Sequence, residues 1–135
     1  MIARGIAYAK GVPLDWSNAE LSAGLSCYGR EEFFDAHEHW ESAWMQAKDP
    51  ERSFLQGLIQ LTVAFHHLTN GNAAGALSLL RRALIRFERC PECFGGVDVA
   101  ALRNETREWR DAIESKAPSL PATYPGISLV EQQSE

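Results

Sequence analysis

Hydrophobic and polar positions along this chain fall into a helical rhythm from Glu31 onward. Phe33, Phe34, His37, Trp40, Glu41 and Trp44 recur at three- and four-residue steps, which puts them on one face of a helix predicted over 31–47. Asp35, Glu38, His39, Ser42 and Gln46 occupy the other, polar side. In the restart "KDPERSF", Asp49 is a good N-cap, Pro50 suits the first helical position, and Glu51 favours the positive end of the dipole. The second helix then runs to Asn70, where the Asn70-Gly71 pair ends it. Its run FLQGLIQLTVAFHHL is apolar almost all round, the mark of a central helix packed on several sides. Asn72 caps a third helix over 73–89 with the apolar stripe Ala76, Leu77, Leu80, Ala83, Leu84 and Phe87. Arg82, Arg86 and Arg89 line up on a second stripe of that helix. "CPECFGG" breaks the pattern, and Asp98 opens a fourth helix over 99–115, whose Leu102, Thr106, Trp109 and Ile113 are spaced to face a core.

The flanks are less regular. Residues 1–28 are weakly patterned, with one short helix around 17–25, and 117–135 form an irregular, proline-bearing tail that lies over the surface or is disordered. Short connections make consecutive helices antiparallel neighbours. The expectation is an all-α fold: an antiparallel up-and-down bundle of about four to five helices, as a single domain over 1–135.

That bundle has a consequence for its few inward polar residues. Folding the first helix onto the second about residue 48 or 49 brings His37 level with Gln60 and Glu41 level with Gln56. Folding the second onto the third about Gly71 brings Gln60 level with Arg82 and Gln56 level with Arg86. His37, Glu41, Gln56, Gln60, Arg82 and Arg86 are therefore expected to gather at two shared heights, within about one turn, ~5 Å. A carboxylate on an aromatic-rich face is costly unless it meets a cation, a metal or several donors. Arginine and glutamine supply such donors in fixed geometry.

Composition narrows the partners. Hydrophobic residues make up 45% and charged residues 23%, as in soluble globular proteins, with a formal net charge of −5. That balance disfavours nucleic acid and anionic membrane surfaces, which reward clustered positive charge. No apolar run reaches the ~18–20 residues that span a bilayer. The start has no apolar core followed by a cleavage site, so no signal peptide is expected, and the three cysteines are read as cytoplasmic thiols.

The segments "FFDAHEHWESAW", "FLQGLIQLTVAFHHLTNGNAAGA" and "GGVDV" resemble the small bacterial and archaeal helical proteins grouped as domain of unknown function 309. Their signature His-x-x-x-Glu-x-x-(Trp or Tyr) is met by His37, Glu41 and Trp44, and the resemblance covers roughly residues 28–103. It implies an all-helical fold and a metal-binding role for the motif, with no established reaction. The longer start and the Cys90/Cys93 pair depart from the pattern without touching the motif.

Several chemistries compete for these residues. His37 and Glu41, one turn apart, can both ligate a divalent ion, but no third ligand stands at the right height. His67 shares a face with Gln56, Gln60 and Val63 and extends the polar stripe, while a histidine of the His66-His67 pair also suits the negative end of its helix. Cys90-Pro91-Glu92-Cys93 has redox or zinc spacing, yet it follows a helix C-terminus, which raises a thiol pKa, and reads as a loop. The arginine stripe can bind phosphate or pair with Glu41, Glu88 and Glu92. No P-loop, dinucleotide fingerprint or activated serine is present. Two classes remain open. One is a domain binding a divalent metal or small ligand, extending to a metal-dependent hydrolase, with His37 and Glu41 in contact, Gln56 and Gln60 orienting, and Arg82 or Arg86 stabilising negative charge. The other is a noncatalytic helical module that associates with itself or a partner, where the same residues and Trp44 form a buried polar network.

Overall fold

The computed structural model describes residues 14–130. Residues 1–13 of the weakly patterned start and 131–135 of the tail lie outside the described residues. Five helices form among the described residues: α1 Ala19–Gly29, α2 Phe33–Trp44, α3 Glu51–Thr69, α4 Ala73–Glu88 and α5 Val99–Glu114. A minimal hairpin, β1 Cys93–Phe94 with β2 Val97–Asp98, joins α4 to α5. The all-helical bundle read from the periodicity is the architecture found. α3 is its axis: it packs against α2 on one side and α4 on the other, with α1 covering α2 and α5 covering α4. Phe54, Leu55, Leu58, Leu61, Ala64 and Phe65 of α3 are all buried, which is why this helix is apolar nearly all round.

Local chemistry sets the helix ends. Asn18, Asn72 and Asp98 accept hydrogen bonds from backbone N–H groups in the first turns of α1, α4 and α5. Asp49 accepts from the Ser53 N–H at 3.1 Å, with Pro50 as the capping residue rather than the first helical one. α2 is shorter than the predicted 31–47. At its start Glu31 has φ 63°, and the Glu32 N–H is spent on the Cys27 carbonyl that closes α1. At its end Gln46 and Ala47 bond three residues back, so the chain tightens into a turn.

Two helical glycines allow close approach. A Cβ on Gly24 would lie 2.2 Å from the Trp40 indole nitrogen, which donates to the Leu21 carbonyl at 3.1 Å. A Cβ on Gly57 would lie 2.8 Å from the Phe87 ring. These contacts seat α1 on α2 and α4 on α3.

The segment expected to be a plain loop is the hairpin, turned by Gly95 and Gly96 at φ +59° and +77°, a conformation that non-glycine residues rarely adopt. The described part of the tail is ordered over the surface. Val97 bridges to Leu129, and the Trp109 indole donates to the Thr123 carbonyl at 2.9 Å. Tyr124 stacks on Trp109 at 4.9 Å and meets Phe33 and Phe65 edge-on. The Tyr28 hydroxyl donates to the Pro125 carbonyl at 2.6 Å, and burial pushes its pKa well above the usual phenol range.

Candidate functional site

The six polar residues do not form one buried network. They divide between α2 and the α3–α4 hairpin. On α2, His37 and Glu41 are one turn apart with Nε2 and Oε1 at 3.6 Å, and the His37 Nδ1 lies 3.1 Å from the Phe34 carbonyl oxygen. The Glu41 side chain is 57% exposed, against 19% for His37. This carboxylate meets water rather than the buried cation or donors expected for it. Phe34, itself an exposed ring, lies 5.2 Å from His37 and 5.2 Å from His66. The α3 imidazole that approaches α2 through Phe34 is thus His66. His67 sits beside His66 at 6.2 Å, half-buried. The 100° step between neighbours decides which ring faces the Phe34 side. Among the described residues no group of three or more His, Cys, Asp or Glu is placed to hold a metal ion.

The second group lies in the groove between α3 and α4. Gln60 and Arg82 line one concavity with Ile85, Arg86 and Arg89, about 360 Å³ in volume. Gln56 and Arg86 line a second, with Trp44, Asp49, Arg52 and Ser53. Arg86 belongs to both, so the two concavities adjoin along the hairpin. The Arg86 guanidinium donates to Ser53 Oγ at 2.9 Å. The Arg52 guanidinium lies 3.8 Å above the Trp44 ring, a cation–π contact that holds both side chains at the wall.

The charges of this groove are unbalanced. Among the described residues, the exposed side chains of Arg82 and Arg89 make no hydrogen bond or ion pair, and neither the Arg86 nor the Arg52 guanidinium has a carboxylate within salt-bridge distance. Glu88, Glu41 and Glu114 are engaged elsewhere. Glu88 pairs with Arg107 at 3.2 Å, Glu41 with His37, and Glu114 takes Arg81, which lies off the stripe, at 2.6 Å. Gln60, only 9% exposed, has a side-chain oxygen with no hydrogen-bond partner among the described residues. A buried acceptor oxygen of this kind costs ~1–3 kcal/mol unless a donor meets it.

Residues 21–79 match the family model described as Domain of unknown function (DUF309). The family expected from the motif is the one that matches. The chain is also similar to an uncharacterized protein of Aquifex aeolicus (strain VF5), 30% identical over 73 residues, covering 53% of this chain and 22% of that protein. The chain therefore spans about a fifth of the length of the curated relative it matches. The DUF309 match runs from α1 into α4 and includes His37, Glu41, Trp44, Gln56, Gln60 and His67, but stops before Arg82, Arg86 and Arg89.

Sequence reasoning did not single out Asp49, Arg52 or Ser53 as lining residues, or the approach of Phe34 to His66. Asp49 and Arg52 flank a turn whose path periodicity does not specify. Cys90 and Cys93 stay apart as free thiols, Cys90 half-buried with its pKa pushed up to about 11 by burial and Cys93 exposed in β1. No helix among the described residues is long and apolar enough to cross a membrane.

Proposed function

We propose that the protein is a small helical binding domain whose α3–α4 groove holds an anionic group on a ligand, with Arg82, Arg86 and Arg89 supplying charge and Gln60 supplying an oriented amide. One observation carries this reading: three arginines line one concavity that no carboxylate of the described residues enters. Guanidinium groups donate in a planar fork that matches phosphate and carboxylate oxygens. Gln56 and Trp44 border the groove and shape its approach. In this reading His37, Glu41 and His67 lie beside the ligand path as a polar rim, and no covalent step is assigned to them. A divalent ion on His37 and Glu41 would have only two protein ligands at a solvent-facing edge, so metal-dependent hydrolysis has less support than anion binding.

The wider reading is of one domain over 1–135 working in the cytoplasm, supported by a shared core and three unpaired thiols. Self-association has no comparable observation behind it, and the net charge of −5 argues against a nucleic-acid partner.

The test is calorimetric titration with inorganic phosphate at low and high salt. Wild type is expected to bind, with affinity falling as salt rises. The double variant Arg82→Ala/Arg89→Ala removes two exposed, unpaired cations, so the fold should persist while affinity drops about tenfold or more. Absence of phosphate binding by wild type, or equal binding by the variant, overturns the reading.

A further inference from the structure

The two ends of the groove differ in chemistry although they share Arg86. The Arg82–Arg89 end presents donors and positive charge. The other end brings in Asp49, whose Oδ1 is occupied by the Ser53 N–H, while its second oxygen has no partner among the described residues. A carboxylate facing a groove repels a second anion and accepts hydrogen bonds from a neutral donor. Gln56 beside it can both donate and accept. The Trp44 ring, fixed by Arg52 on one face, gives this end an apolar wall against which carbon can pack. An inorganic anion would use none of these features. A ligand with an anionic head and a hydroxylated body would use all of them.

Resting on the anion-binding reading above, we propose that the groove takes a phosphorylated polyol. Its phosphate sits on Arg82, Arg86 and Arg89, and its hydroxyl groups donate to Asp49 and exchange hydrogen bonds with Gln56. Gln60 and Gln56 are one helical turn apart, about 6 Å along the axis, which suits the reach from a phosphate to the hydroxyls of a three- to five-carbon chain or ring. Acidic side chains elsewhere recognise sugar hydroxyls by the same acceptor geometry. Nothing in this step is covalent: the groove binds and orients.

The experiment compares inorganic phosphate, glycerol phosphate and ribose 5-phosphate by calorimetry on the full chain, as wild type and as Asp49→Asn. Asparagine keeps a capping oxygen for the start of α3, so the variant loses a charge without losing the helix end. Wild type should bind ribose 5-phosphate about tenfold more tightly than inorganic phosphate, the worth of one hydrogen bond to a charged group. Asp49→Asn should remove that preference and leave the affinity for inorganic phosphate unchanged or slightly raised. Equal affinity of wild type for all three phosphates overturns the polyol assignment while leaving anion binding intact. So does a preference that survives Asp49→Asn. Failure of all three to bind removes the anion-binding reading and the polyol assignment with it.

Discussion

Cys90 illustrates how burial sets the chemistry of a single side chain. Its thiol follows the C-terminal end of α4, donates to the Arg86 carbonyl and is largely shielded from water, which disfavours the thiolate. Cys27 is shifted in the same direction by burial, whereas Cys93 is exposed in β1. Alkylation followed by mass spectrometry at pH 8 should therefore label Cys93 first, with Cys27 and Cys90 far slower; equal labelling of all three would contradict the burial. Stability follows by linkage. In the unfolded chain the Cys90 thiol ionises near 9, and in the folded protein near 11. Between those values the unfolded state binds fewer protons, so stability is intact below about pH 9 and declines as pH rises towards 11. Replacing Cys90 with alanine should flatten that part of the melting-temperature profile. The position of Cys90 after a helix end was legible in the sequence. The shielding was not, because it depends on how α5 folds back over α4.

At the scale of elements, three of the five helices among the described residues close with the same hydrogen-bond pattern. α3 ends with Gly71 at φ +80°, with the Asn72 N–H bonded to the His67 carbonyl and the Gly71 N–H to Leu68. α1 and α5 end the same way around Glu31 and Lys116, at φ 63° and 53°. Only the first of these ends announces itself by a glycine, which is why the stop at Asn70-Gly71 could be read from the sequence and the boundary near Glu31 could not. A side chain in the left-handed region costs roughly 1 kcal/mol relative to glycine. Glu31→Gly and Lys116→Gly should each stabilise by about 0.5–1 kcal/mol, and Gly71→Ala should destabilise by about 1 kcal/mol. Urea titrations of the three variants would check this, and a destabilised Glu31→Gly would contradict the assigned cap. The Cys93–Asp98 hairpin is a further element that composition hid. Its strands have two residues each, too few for an alternating pattern to emerge.

Over the whole molecule, the order of helices and their antiparallel hairpins followed from periodicity and capping, because α3 and its neighbours obey the 3.6-residue rule closely. The tail did not follow. Its aromatic residue Tyr124 has no periodic partner, yet it stacks between Trp109, Phe33 and Phe65 and ties the chain end across the bundle. The candidate site was legible in part. Equal distance from the Gly71 turn sets Gln60 near Arg82 and Gln56 near Arg86, and both pairs line the groove. The same rule applied to α2 did not bring His37 and Glu41 into that groove, since height fixes the level of a residue and not the direction of its side chain. What the groove holds is thus the decisive question. A titration of isotope-labelled protein with inorganic phosphate, followed by nuclear magnetic resonance, answers it directly. The expected result is a saturable set of shifts centred on Gln56, Gln60, Arg82, Arg86 and Arg89, with little change at His37 and Glu41. Shifts centred on His37 and Glu41, or none at all up to millimolar phosphate, would contradict an anion site between α3 and α4.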